Sequence, residues 1–358
     1  MAVRPVRPAS LFDLAVPRRL ARSAAMFALG FSLSQSETEA LGSKLAEVQE
    51  RGTLMCGVDD GRPGFASFDD EAGWTGFEID LCRAYAAAIL GSPDRVDFVP
   101  LSTSERFDAL AMNQIDVLLS TTSWTYSRST RLAATFAGVY YYDGQGFLVP
   151  SDLGISTARE LDGARICVQP ATTTLENLQS FARSFDLDLQ IVEVDNFDAG
   201  LSAYQAGDCD AFTNDVAALA AARQLMENVD SHTVLADIIS KEPLSPVVDQ
   251  ADLEFAQIIE WIGYALIAAE EFGVTADNFD EFTTENANRE VRTLLGLDAQ
   301  AAGPWGLDRA FARRAIAASG NYGELFDRHL GEGSNVGLRR GLNAQWSQGG
   351  LLYAPPFG

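Results

Sequence analysis

An α/β architecture of two similar lobes is predicted by three observations. The 358 residues exceed what one hydrophobic core ordinarily serves, so two units of ordinary size are expected. Short apolar runs alternate with stretches of helical periodicity, which is the pattern of a parallel sheet whose strands are joined by helices. The alternation then restarts. "GTLMCGVDDG" and "ARICVQPATTTLENLQSFA" are each a strand carrying a cysteine and then a polar loop, while "MNQIDVLLST" and "AGDCDAFTND" are each a polar turn and then a strand.

Taken in order, the chain begins with targeting material. "RRLARSAAMFALGFSLSQSETEA", Arg18 to Ala40, runs from a basic cluster through an apolar stretch, Ala24 to Leu33, to small and polar residues, the order of a secretory signal. The extension Met1 to Pro17 is long for such a signal, and Thr38-Glu39-Ala40 is the candidate cleavage site, so residues 1–40 are assigned to targeting and the protein to an exported compartment. "ALGSKLAEVQERG" is a short helix stopped by glycine. "TLMCGV" is a strand, and "GFEIDLCRAYAAAILG" a helix with Phe77, Leu81, Tyr85 and Ile89 on one face; "RVDFVPL" is an alternating strand. Ser102 to Met112 reads as helical, with Ser102 and Glu105 at capping-box spacing, and "IDVLLS" as a short buried strand. The second block repeats this plan. Between the blocks, "FAGVYYYDGQGFLVP" and "IISKEPLSPVV" suit paired crossover strands and form the candidate hinge. After Asp249 come "DLEFAQIIEWIGYALIAAEEFG", the helical "DRAFARRAIAASGNYGELFDRHLG" and a tail, with no third sheet. The lobes are therefore placed at 41–146 and 147–241, with 242–358 returning to the first lobe and adding a C-terminal extension.

Composition excludes some functions. A net charge of −24 and a pI near 4.3 repel a phosphate backbone, so no nucleic-acid partner is expected. An apolar fraction of 47% with 21% charged residues is ordinary for a globular protein, and no run of about 18 apolar residues follows the N-terminus. The cysteines, Cys56, Cys82, Cys167 and Cys209, fall two to each half and lack metal-site spacing. In an exported chain they read most simply as disulfides, Cys56 with Cys82 and Cys167 with Cys209; four buried free thiols are the other reading. His232 and His329 are isolated and expected to face solvent, so neither a metal nor a cofactor is indicated.

"PGFASFDDEAGWTGFEIDLCRAYAAAILG", "DGARICVQPATTTLENL", "IISKEPLSPVV", "GNYGELFDRHLGEGS" and "RGLNAQWSQGGLLYAPP" closely resemble the general L-amino-acid-binding proteins of bacterial ABC transporters. The resemblance runs from about Ala40 to the C-terminus. It implies a two-lobe periplasmic binding fold of type II with two hinge crossovers, a monomer in the periplasm that captures a free L-amino acid and delivers it to a membrane permease. By position it implies that Arg128, with Ser120, Thr121 and Ser123, holds the ligand carboxylate. It likewise implies that Asp215 receives the ammonium, that Thr172 and Thr173 line the second-lobe loop and that Phe65 forms an apolar wall. The chain also departs from that family. Ser120 and Thr121 stand where an arginine and an asparagine are usual, Pro170 and Ala171 where a threonine and a glycine are usual, and Arg62 where an apolar residue is usual. Arg62 is placed to reach into the cleft and favour an acidic side chain.

These residue types suit a zwitterion. Burying either ligand charge without a partner costs several kcal/mol, so each needs its own host. Arg128 can grip a carboxylate through two parallel N–H bonds, and Asp215 offers an acceptor-only carboxylate to an ammonium. Asp215 also stands where it could cap "DVAALAAARQLM". Trp124 is read as a packing residue. Competing functions are a dehydratase-like enzyme on the same fold, with Glu242 or Asp215 as its acid, and a soluble ligand sensor; no catalytic residue is assigned, because nothing pairs a nucleophile with a base.

Overall fold

The computed structural model describes residues 43–298 and 303–358. The expected signal segment lies outside them. The chain opens with helix α1 (Lys44–Arg51), capped by Ser43 and ended by Gly52 in the left-handed region. Strand β1 (Leu54–Asp59), the hairpin β2 (Ser67–Asp69) and β3 (Gly73–Thr75), α2 (Phe77–Leu90), β4 (Val96–Leu101), α3 (Arg106–Ala111), β5 (Val117–Leu119), α4 (Tyr126–Arg131) and β6 (Ala134–Phe136) follow. The chain then crosses on β7 (Tyr141–Asp143) to β8 (Gln145–Pro150), β9 (Arg165–Val168), α5 (Thr173–Phe185), β10 (Gln190–Glu193), α6 (Phe197–Gln205), β11 (Ala211–Asp215), α7 (Val216–Gln224) and β12 (His232–Val234). It returns on β13 (Glu242–Leu244) to β14 (Val247–Asp249), α8 (Leu253–Glu271), α9 (Arg289–Leu294), α10 (Phe311–Ser319) and α11 (Tyr322–His329).

Two five-stranded sheets result, ordered β4-β1-β5-β14-β6 and β10-β9-β11-β8-β12. In each, three parallel strands meet a returning strand that runs antiparallel, so both sheets are mixed where the alternation alone predicted parallel ones. The cause is the crossover: β14 and β8 enter their sheets from the hinge side and pair antiparallel with β5 and β11. Side chains alternate across the second sheet, with Phe147, Val149, Ile166 and Val168 in one apolar layer and Leu148, Cys167 and Phe212 in the other.

Helix α2 differs from its expected one-sided burial. Every residue except Arg83 and Leu90 is buried, because α8, α10 and α11 pack around it. Its start requires glycine. Gly76 has φ +137°, and a Cβ there would lie 2.1 Å from the Phe65 carbonyl oxygen. The helix expected from Ser102 begins at Arg106; Ser102 instead donates its hydroxyl to Glu105 (2.6 Å) in the preceding turn. "NYGE" is a true capping box, in which Asn321 accepts from the Glu324 amide and Glu324 accepts from the Asn321 amide.

Disulfides join Cys56 of β1 to Cys82 of α2, and Cys167 of β9 to Cys209 just before β11. Each sheet is thus stapled to an adjoining segment of its own lobe. His329 faces the interior, contrary to expectation: its Nε2 lies 2.7 Å from Asp80, which Arg83 and Arg328 also hold, keeping that carboxyl below its ordinary pKa. His232 is half-buried against the Tyr204 hydroxyl, 2.8 Å away.

The crossover strands pair with each other, Asp143 opposite Glu242 and Tyr141 opposite Leu244. The tail braces them. Asn343 accepts from the Tyr142 amide (2.7 Å) and donates to its carbonyl (3.0 Å), while Arg340 forks onto both oxygens of Glu270.

Candidate functional site

The carboxyl ends of parallel strands from both sheets point at one cleft, the place where open α/β sheets bind ligands. From the first lobe it is lined by Arg62, Thr103, Arg106, Thr121 and Ser123; from the second by Gln169, Thr172 to Thr174, Asn214 and Asp215. The space between these side chains amounts to about 280 Å3, part of it open to solvent, of which about 20 Å3 admits the centre of a water molecule. The lobes meet across it, with Arg62 donating to Asn214 and Gln169 and the Thr103 hydroxyl to the Pro170 carbonyl.

Three first-lobe segments, one loop and two short helices, deliver guanidiniums. Beyond β1, Arg62 is held by Asp59, whose Oδ2 accepts from Nε (3.1 Å) and Nη2 (2.9 Å). The Arg62 head then crosses to the second lobe, donating to Asn214 Oδ1 (2.5 Å) and Gln169 Oε1 (3.3 Å) and lying over the Phe197 ring. Burial opposes its charge, but Asp59 and, farther off, Asp215 outweigh that and raise its pKa above the ordinary value. Arg106 opens α3 and donates to the Ser120 carbonyl (2.6 Å), while its Nε has no hydrogen-bond partner. Burial, with Arg128 nearby, brings Arg106 down to about 9. Arg128 donates to the Ser123 carbonyl (2.9 Å), and the Phe107 ring is flanked by both guanidiniums at 5.3 Å each.

The loop after β5 is pinned from beneath. Glu78 of α2, fully buried, accepts from the Thr121 amide (2.6 Å) and the Tyr140 hydroxyl, and burial pushes its carboxyl up to about 7. Thr121 consequently sits at φ 38°, and across the cleft Ala171 sits at φ 57°. Both are conformations that side chains with a Cβ disfavour, most strongly a β-branched one.

The second lobe presents Asp215 at the end of β11. It stands at the N-cap position of α7 but makes no capping hydrogen bond, and among the described residues no side-chain hydrogen bond to its carboxylate is found. Burial, then Asp143 and Glu242, raises its pKa well above the ordinary carboxylate value. Glu242 by contrast is fully engaged, accepting from Thr173 (3.2 Å), Asn177 (2.7 Å) and Ser240 (2.6 Å). Asp143, opposite Glu242, is pushed up to about 7 by burial. Thr172 caps α5, accepting from the Leu175 amide and donating to the Gln169 carbonyl.

Of the residues singled out from the sequence, Arg62, Thr121, Ser123, Thr172, Thr173 and Asp215 share the cleft. Ser120 lies behind it, its hydroxyl 3.5 Å from Asp59. Arg128 lines an adjoining opening with Phe107, Arg131, Glu176 and the shared wall of Thr172 and Thr173. Phe65 is a correction: it is wholly buried, edge-on to Tyr141 and packed against Phe77, and forms no wall of the cleft. Trp124 stacks on Phe136 and donates to Ser129. Sequence reasoning missed Arg106 and Gln169. Their common signal is position, each falling within a few residues of the carboxyl end of a strand.

Comparison with known proteins places this geometry. Residues 54–177 match the family described as bacterial extracellular solute-binding proteins, family 3. A glutamate/glutamine/aspartate/asparagine-binding protein of Rhodobacter capsulatus is 48% identical over 318 residues, 89% of this chain and 94% of that protein. A general L-amino acid-binding periplasmic protein of Rhizobium johnstonii is 42% identical over 93% of this chain and 96% of its own length. A solved periplasmic binding protein of an ABC transporter from Brucella ovis, with glutathione bound, is 42% identical with a TM-score of 0.85, covering 88% of this chain and 99% of that one.

Proposed function

Because this chain belongs to family 3 of the bacterial extracellular solute-binding proteins, we propose that its lobes close on one free L-amino acid and present it to the permease of an ABC transporter. The single observation that carries this reading is the Asp215 carboxylate, which lacks a side-chain hydrogen bond among the described residues, facing fixed guanidiniums across the cleft.

In this reading the ligand ammonium pairs with Asp215, and its carboxylate takes the N–H groups of Arg106 and Arg128 beside Ser123 and Thr121. Each ligand charge then has a host in a different lobe, so the zwitterion ties the lobes together and favours closure. Thr172 and Thr173 border the ligand at the start of α5. The protein acts as a monomer in the periplasm. The dehydratase-like alternative has less support, since Glu242 is already engaged by three hydrogen bonds and no nucleophile and base are paired in the cleft.

A thermal-shift and calorimetric screen of the common L-amino acids, with D-enantiomers and decarboxylated amines as controls, tests this reading. L-amino acids are expected to raise the melting temperature and the amines to leave it unchanged. Equal shifts from amines and amino acids would remove the carboxylate host from the account.

A further inference from the structure

We propose that Arg62 selects the ligand side chain, admitting one that ends in a carboxylate or carboxamide and rejecting one that ends in a cation. This deepens the amino-acid reading of the cleft and rests on it.

Arg62 is 3% exposed and reaches across the cleft, touching Asn214, Gln169 and Phe197 of the second lobe. Its head is fixed before any ligand arrives, because Asp59 holds Nε and Nη2 and leaves the planar fork little freedom. The N–H groups that face the cleft end on two carboxamide oxygens, those of Asn214 and Gln169. These oxygens show what the guanidinium edge is shaped to accept. A ligand carboxamide or carboxylate offers the same planar oxygen and can take over the longer contact, that with Gln169, without leaving an N–H unpaired.

A cationic side chain finds no such place. Arg62 and Arg106 both line the cavity, and the carboxylates near it are already committed. Asp59 holds Arg62, and Glu78 is bonded to the Thr121 amide and the Tyr140 hydroxyl. Asp215 is taken by the ligand ammonium. A buried positive side chain would therefore meet like charge with no counter-ion, which is rejection by repulsion as well as by missing contacts. Since Asn214, Gln169 and Phe197 belong to the second lobe, reading the side chain and closing the lobes are one event.

Calorimetry on the exported chain with L-glutamate, L-glutamine, L-leucine and L-lysine tests this. In the unaltered protein glutamate and glutamine are expected to bind about tenfold or more tighter than lysine. Arg62→Leu removes a closure contact for every ligand, so leucine measures that shared loss; glutamate and glutamine are expected to weaken by about tenfold or more beyond it, and the preference over lysine to shrink or reverse. Arg62→Lys keeps the charge without the fork, so it should weaken glutamate while still excluding lysine. Should the leucine variant fail to fold, the ranking in the unaltered protein and the lysine variant decide. The proposal is overturned if Arg62→Leu lowers all four affinities by one common factor, which would make Arg62 a closure contact only, or if the unaltered protein binds lysine as tightly as glutamate. Absence of binding by every amino acid would instead bring down the amino-acid reading beneath it, and the proposal with it.

Discussion

In the first lobe, the charges at the cleft are already held by their own chain: Arg62 by Asp59, Arg106 by the Ser120 carbonyl, Arg128 by the Ser123 carbonyl. In the second lobe the cleft carboxylate, Asp215, has no such support and carries the added burden of Asp143 and Glu242 behind it. Yet the two sheets share one strand plan and each lobe has one disulfide. The scaffold is thus near-symmetric while the charge is not. One jaw is preorganised and the other carries a carboxylate without such support, which in the proposed reading the ligand ammonium completes.

The symmetric part of this comparison carries the largest expected effect. The disulfides span 26 and 42 residues of sequence, and removing each is expected to destabilise its lobe by about 3–4 kcal/mol. Melting curves with and without reductant measure it; superimposable curves after verified reduction would show that the staples do not matter. Next is the incomplete jaw. Asp215→Asn is expected to weaken amino-acid binding about a hundredfold, roughly 2.7 kcal/mol, while leaving the melting temperature of the ligand-free protein unchanged or higher, because the carboxyl it replaces is disfavoured in its ionised form there. A variant that binds normally would show that the ammonium is held elsewhere. On the preorganised jaw, Arg128→Lys keeps the charge but not the paired N–H geometry and should cost about tenfold in affinity. Unchanged affinity would leave Arg106 as the carboxylate host. The smallest effect concerns backbone strain, which both jaws share. Thr121→Asn and Ala171→Gly each suit the left-handed conformation better and should stabilise by about 0.5–1 kcal/mol, read by denaturant melts. Destabilisation by either would mean that the lost side-chain contacts outweigh the relieved strain.

Much of the fold was legible because its strands and helices follow their periods closely, and the hinge segments and cysteine pairs fell where the block repeat put them. The all-round burial of α2 was not legible, since α8, α10 and α11 arrive from more than 160 residues later in the chain. Phe65 illustrates the same limit: a loop aromatic beside a cleft turns inward once Tyr141 and Phe77 meet it. Arg106 was hidden because "TSERF" reads locally as a helix start, and only the tertiary arrangement brings it to the cleft on the Ser120 carbonyl. The departures were more informative than they first looked. Arg62 and Ser120 meet at the same Asp59 oxygen, so a charge that the resemblance places on one loop is supplied here from another. Thr121 and Ala171 occupy the two strained positions where asparagine and glycine would be easier.

The central claim is that Asp215 awaits a cation. Burial, Asp143 and Glu242 raise its pKa in the ligand-free protein, with Arg62 and Arg106 opposing, and a bound ammonium would favour its ionised form. Binding should therefore expel a proton, and affinity should rise as pH increases through the range in which Asp215 titrates. The direct measurement is calorimetric titration with one L-amino acid near pH 6 in two buffers of different ionisation enthalpy. Net proton release that disappears in Asp215→Asn is the expected result; proton uptake, or release that persists in the variant, would contradict the account.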